Sequence, residues 1–329
     1  MAETIGPAAA GGDLLFVGDI YCDLVMAGVS APEIGAEVFA SGFAISPGGV
    51  ANRAVAAARA GAPTRLLSRL GEDPLGREMR VMLAAEPGLD TSWITCVPDR
   101  QTPITVSLTS PENRSFVTYD EDLGPLDLPA GAGPVGAVHV GIATELPAWV
   151  ATLRAAGTRV VGGVGWDSAG VWSRDVLDRL AEIDVFVPND IEAMRYTRTD
   201  SALEAAKALA ERVPLAVVTR GGDGVVAIDS ATGVVTEISA VPVDVIDPTG
   251  AGDIFVASFM AAERYPDWDL TNRLRFAALS ASLSVRRLGG AVSAPRPADL
   301  RRFVDQARPA GNWSFLGSHS TTPTQNGES

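Results

Sequence analysis

Residues 247–253 read Asp-Pro-Thr-Gly-Ala-Gly-Asp, and Ile254 to Arg264 read as a helix. Small residues at 250–252 expose successive backbone N–H groups at a helix N-terminus, which is a ready anion site. A carboxylate, Asp253, stands at the same terminus. An anion cradle beside a fixed base suits phosphoryl transfer to a hydroxyl. Asp253 takes the proton while the amides of Gly250, Ala251 and Gly252 hold developing phosphate charge. An ordinary loop-to-helix junction with an acidic first turn has the same sequence, so this stretch alone leaves both readings open.

Other segments carry compatible chemistry. Gly18-Asp19 follows an apolar run, and Asp23, just beyond, is placed to point into the crevice where open α/β sheets bind ligands; turn capping is the alternative. Gly48 and Gly49 let backbone approach a ligand before a small-residue helix, with Asn52 in its first turn able to donate and accept. Asn189 and Glu192 lie three apart at another helix start, the spacing of a capping box and also of a polar pair facing a ligand. In Thr219-Arg-Gly221-Gly-Asp-Gly224 the glycines admit phosphates and the threonine hydroxyl can donate to one. The third glycine of a dinucleotide fingerprint is absent, which argues against NAD. Gly71-Glu-Asp73-Pro-Leu-Gly76 reads as structural, a left-handed turn before a helix.

Composition removes competing chemistries. The chain has 329 residues, 47% of them hydrophobic, and a formal charge of −14. Such acidity disfavours nucleic acid and anionic membranes as partners. There is one lysine, Lys207, within a helical run and with no glycine before it, so a P-loop and a protein-kinase lysine are both missing. Of the two histidines, His139 lies in a strand-like Val-His-Val and His319 in a polar tail, which leaves no natural Ser-His-Asp base. The two cysteines, Cys22 and Cys96, make neither a disulfide framework nor a metal site. No signal peptide and no membrane-spanning run is expected, so a cytoplasmic protein is.

These groups need a scaffold to converge. From Ala137 onward strands at 137–141, 159–164, 184–187, 215–219 and 225–228 alternate with helices at 147–156, 173–181, 190–197, 201–212, 253–264, 270–286 and 297–307. That alternation predicts a doubly wound, mostly parallel sheet flanked by helices. Upstream, Leu14–Val17 and Thr64–Leu70 read as strands, and 51–60 and 77–85 as helices. Segments at about 24–46 and 100–120 read instead as exposed β patches, the second a hairpin turning at Ser-Pro-Glu-Asn-Arg. Residues 1–12 and 309–329 read as flexible tails around a domain spanning 13–308.

The motifs, in this order and spacing, resemble the PfkB (ribokinase-like) carbohydrate and nucleoside kinases from about Leu14 to Gln306. The resemblance implies an ATP-dependent kinase that phosphorylates a hydroxyl of a sugar or sugar acid, with a nucleoside kinase or a non-catalytic sugar- or nucleotide-binding regulator as alternatives. It implies Asp253 as base and Gly250, Ala251 and Gly252 as anion hole. Asp23, Gly48, Gly49 and Asn52 become sugar contacts, and Asn189, Glu192, Thr219, Gly221 and Gly224 nucleotide contacts, with Glu192 acting on Mg²⁺ through water. Backbone oxygens near Asp247, Thr249 and Ser293 are implied for a monovalent cation, K⁺. The β patches are implied to form a small lid over the sugar and a homodimer interface. Pro47 stands where the first family glycine belongs and Val50 where a small residue is usual. The residues that choose the sugar match less well: Gly49 replaces a ribokinase lysine, Glu145 is displaced, and only Asp167 remains of an Asp-x-Asn-x-Arg pattern.

Overall fold

Leu14 and Phe16 enter one apolar cluster and Leu15 the other, the alternation of a strand buried on both faces. The computed structural model describes residues 12–29, 32–109, 114–133 and 135–317. Its first half contains β1 (Leu14–Val17), β2 (Ile20–Ala27), β3 (Gly42–Gly49), α1 (Val50–Arg59), β4 (Thr64–Gly71) and α2 (Pro74–Ala84). Then come β5 (Leu89–Asp90), β6 (Ile94–Val97), β7 (Ile104–Thr109) and β8 (Arg114–Tyr119). The second half contains β9 (Ala137–Gly141), α3 (Ala148–Ala155), β10 (Arg159–Gly163), α4 (Asp175–Arg179), β11 (Val185–Phe186), α5 (Asp190–Thr197) and α6 (Ala202–Ala210). It ends with β12 (Leu215–Thr219), β13 (Val225–Asp229), β14 (Val235–Ile238), α7 (Ala251–Ala261), α8 (Leu270–Ser284) and α9 (Pro297–Ala307).

The main sheet runs β14-β13-β12-β11-β10-β9-β1-β4-β5, with β6 also on β4. It is parallel except for β13 and β14. Helices α1, α7 and α8 cover one face, and α3 to α6 the other. This is the expected doubly wound sheet. The strands β5, β6 and β14 were not foreseen: each is too short or too exposed to show a period.

A second sheet runs β3-β2-β7-β8. Asp23 therefore sits inside β2, opposite Ser46 of β3, and not in a loop after β1. Cross-strand partners share a face, so Asp23, Ser46, Thr105 and Thr118 line one side and Leu24, Ile45, Val106 and Val117 the other. The hairpin turn at 110–113 lies outside the described residues, as do 1–11 and 318–329, including His319.

Two local expectations change. The turn at 71–76 contains no left-handed residue. Asp73 caps α2 by accepting from the Leu75 and Gly76 amides, at 2.7 and 3.1 Å, and its other oxygen takes Thr102 N–H at 2.6 Å. Gly71 is needed because a Cβ there would strike the Arg100 carbonyl and the Thr102 amide. The segment read as the start of a C-terminal tail is folded as far as Gly317, because Phe315 and Leu316 are buried and Phe315 stands edge-on to Trp268 at 4.8 Å.

Candidate active site

Helix α7 is apolar all round, and Ile254 to Ala261 are all buried. It is fixed between α1 and α8, so its N-terminus is held in place. Gly250 precedes it at φ 75°, ψ 1°, a left-handed cap. A Cβ there would also come 3.1 Å from the Gly290 Cα, so glycine is required on two counts. The amides at the second and third helical positions, Gly252 and Asp253, have no intrahelical acceptor. A side chain at Gly252 would meet nothing within 4 Å, so space lies in front of these amides.

That space is a cavity of about 340 Å³. Ala251 and Gly252 form one wall, and Thr219, Gly221 and Gly224 the opposite one. The remaining lining, including Val241, Val245, Phe255 and Ala281, is mostly apolar. Thr219 is bridged to Asn189, and its amide bonds to the Pro188 carbonyl at 3.1 Å, so the two strand ends that carry these motifs lie side by side. Gly221 and Gly224 both take positive φ, 52° and 91°. Gly224 also packs against the Ile238 carbonyl, where no Cβ would fit.

Asp253 faces α1. Its Oδ1 pairs with an Arg53 guanidinium nitrogen at 2.8 Å, and its Oδ2 accepts from Asn52 Nδ2 at 3.3 Å. Asn52 is 4% exposed and its own Oδ1 has no partner. Sequence reasoning missed Arg53, although a signal existed: it is a cation near the start of α1, where the helix dipole opposes positive charge. The ion pair with Asp253 explains its position.

Gly48 and Gly49 close β3. The Asp23 carboxylate lies directly on Gly48, where a Cβ would collide with it. Gly49 turns at φ 62° against the Asp19 carbonyl and the Tyr21 ring. Burial, then Asp253 and Asp247, lift the Asp23 carboxyl to about 7. Tyr21 donates to Asp120 at 3.1 Å. Burial, with Asp120 and Asp122 nearby, raises the Asp19 carboxyl as well. This side of the site is strongly acidic.

Asn189 and Glu192 form a complete capping box: the Glu192 amide donates to Asn189 Oδ1 at 2.8 Å, and the Asn189 amide to Glu192 Oε2 at 3.0 Å. The capping alternative is therefore realised in the geometry. Glu192 is also 7% exposed, and burial lifts its carboxyl to about 7 against the opposing pull of the Asn189 amide and Arg53. Asp253 contributes to that rise, so the cap faces the same centre.

Asp247 is buried, with one carboxylate oxygen on the Thr249 amide at 2.9 Å and the other on the Gly289 amide at 3.0 Å. Ser293 Oγ donates to the Gly290 carbonyl at 2.7 Å. Thr249 Oγ1 is buried without a partner, an orphaned oxygen that suits a cation donor set. Among the described residues no three His, Cys, Asp or Glu side chains converge to hold a metal unaided. His139 is not part of the site: it is 2% exposed, stacked on Phe16, and held neutral by burial and then by Arg53.

Comparison with known proteins agrees with this geometry. The family described as pfkB family carbohydrate kinase matches residues 13–297. The chain is similar to a fructokinase of Klebsiella pneumoniae, 32% identical over 285 residues that cover 78% of this chain and 92% of that enzyme. It is similar to a ribokinase of Haemophilus influenzae, 27% identical over 313 residues, 89% of this chain and 99% of that one. In fold it resembles the Vibrio cholerae fructokinase in its fructose, ADP and calcium ion bound form, with a TM-score of 0.74 and 24% identity, covering 90% of this chain and 99% of that one.

Proposed function

Since the chain belongs to the pfkB family of carbohydrate kinases and is an ATP-dependent sugar kinase, we propose that Asp253 is its catalytic base and that a neutral sugar is its acceptor. The observation that supports this most is the junction at Gly250: the orphan amides of α7, the Asp253 carboxylate and the mouth of the nucleotide cavity meet there. Asp253 takes the proton of the sugar hydroxyl, and the freed oxygen attacks the γ-phosphorus in line. The bond from that phosphorus to the β-phosphate oxygen breaks, and ADP leaves. The amides of Gly250 and Gly252, with that of Ala251 once it leaves the Pro248 carbonyl it meets at 3.3 Å, hold the charge that gathers on the transferring group. Arg53 and Asn52 hold the Asp253 carboxylate at its two oxygens and so orient the base.

Asp23, Gly48, Gly49 and Asn52 form the sugar floor. Asp23 is acceptor-only when ionised and suits adjacent hydroxyls, and Ser46 across from it has a buried hydroxyl with no partner. Asp19, Asp120 and Asp122 repel an anionic acceptor, which favours a neutral sugar over a sugar acid or phosphosugar. The named relatives make fructose and ribose the first candidates. Thr219, Gly221, Gly224 and Asn189 contact the nucleotide. Glu192 would act through water on an Mg²⁺ that would neutralise phosphate charge. Asp247, Thr249 and Ser293 set the backbone around a K⁺ site. We place the enzyme in the cytoplasm, and no described helix is long and apolar enough to cross a membrane.

The second sheet acts as a lid, its Asp23 face toward the sugar. Phe43, Val117 and Tyr119 lie exposed on the other face, which we assign to a second copy of the chain. The test is ADP release from Mg·ATP across neutral sugars, sugar acids and nucleosides, in K⁺ and in Li⁺. Turnover with a neutral hexose or pentose that falls in Li⁺ is expected. Turnover only with sugar acids or nucleosides overturns the acceptor, and equal rates in both salts remove the K⁺ site.

A further inference from the structure

Behind the 289–293 turn lies a pocket of about 400 Å³ whose lining shares only Ser293 with the residues assigned to the kinase site. Arg59, Arg286, Arg287, Arg296 and Arg302 line it, and among the described residues Asp299 is the one carboxylate in its wall. Gathering five guanidinium groups is costly by mutual repulsion, and unexpected in a chain where 40 acidic residues outnumber 26 basic ones.

The positive charge is only partly answered. Arg59 and Arg296 share Glu86, each at 2.8 Å. Arg302 reaches Asp299 loosely, at 3.6 Å. Arg286 lies over the Phe303 ring at 5.7 Å, which positions it without neutralising it. Arg287 stands beside it, and both are exposed. Among the described residues no carboxylate lies within ion-pair distance of either.

This pocket is separate from the nucleotide cavity. Helix α8 and its C-terminal end divide the two: Ala278, Ala281, Ser282 and Val285 face the nucleotide cavity, whereas Leu283, Arg286 and Arg287 face this one. Its wall is nonetheless continuous with the active centre. Arg59 ends α1, whose first turn carries Asn52, and donates to the Val292 carbonyl at 2.8 Å. Val292 belongs to the same turn as Gly289, the partner of Asp247.

We propose that this arginine pocket is a second anion site that binds a small phosphate-bearing ligand. Guanidinium forks match phosphate oxygens in pairs and hold them more strongly than neutral donors do. The volume falls within the range of small-molecule pockets, with room for a diphosphate or a phosphorylated metabolite. Arg286 and Arg287 supply the free charge, and Arg302 exchanges Asp299 for the ligand.

The test is calorimetric titration of the full chain with inorganic pyrophosphate, orthophosphate and sulfate at matched ionic strength. Pyrophosphate is expected to bind more tightly than sulfate. The variant Arg286→Gln/Arg287→Gln should weaken it roughly tenfold or more, as lost charge-assisted hydrogen bonds would. Its melting temperature and sugar-dependent ADP release should stay at the parent level, and Arg286→Lys/Arg287→Lys should retain part of the binding. Asp253→Asn should leave this binding unchanged. The proposal is overturned if sulfate binds as well as pyrophosphate, or if the double glutamine variant binds pyrophosphate like the parent.

Discussion

Burial beside Asp253 and Asp247 lifts the Asp23 carboxyl to about 7, so the residue we assign as the sugar's acceptor is half protonated near neutral pH. Its folded value lies above its ordinary one, so the folded site binds the proton more tightly than the unfolded chain does. Stability contributed by this group is then present at low pH and is lost as pH rises through about 7. Sugar binding runs the other way, because only the ionised form accepts from two hydroxyls. The sugar KM is expected to rise as pH falls below about 7, while Asp23→Asn has a high KM that no longer changes with pH. The same variant should melt a few degrees higher at alkaline pH and close to the parent at acidic pH. A parent KM that is flat across neutrality would remove Asp23 from the sugar floor. Much of this scale is legible from residue types: Asp253, Asp23 and the Asn189–Glu192 pair were all nameable from spacing. Arg53 was legible only as a cation set against a helix dipole; its partner, 200 positions away, shows only once the chain is folded.

Helix α7 shows what an element adds to its residues. Its buried surface holds the N-terminus in place, and the left-handed Gly250 sets Ala251 and Gly252 in the wall of the cavity we assign to the nucleotide. Gly250→Ala places a Cβ in a left-handed backbone 3.1 Å from Gly290, so it should cost about 1–3 kcal/mol in urea unfolding and lower kcat sharply. Parent-level stability and turnover would show that the cap geometry is dispensable. Elements such as α7 and β9 were readable because burial around a helix or on both sides of a sheet leaves a continuous apolar run. The lid strands were readable only as exposed patches. Their pairing of β2 with both β3 and β7 depends on contacts distant in sequence, so Asp23 could be placed near the first strand but not within β2. The Asp73 cap likewise uses Thr102, a partner no local pattern contains.

At the scale of the whole molecule, the residues we assign to the nucleotide, the base and the sugar floor lie at strand ends and helix starts of the main sheet and on the second sheet, which we read as a lid. The face opposite Asp23 packs Cys22, Leu24 and Ile45 on the core at its base but leaves Phe43 at 60% and Val117 at 66% exposure, an apolar patch of the kind that marks an interaction surface. A homodimer through this face predicts that Phe43→Glu/Val117→Glu yields monomers in sedimentation velocity experiments while the fold is kept. A parent chain that is already monomeric at micromolar concentration would contradict it. Every step proposed for the site rests on Asp253 taking the sugar's proton. The most direct measurement is therefore kcat of Asp253→Asn with the best sugar, beside its ADP affinity. A loss of roughly 100- to 10,000-fold in kcat with ADP affinity unchanged is expected. Turnover near the parent rate would contradict it.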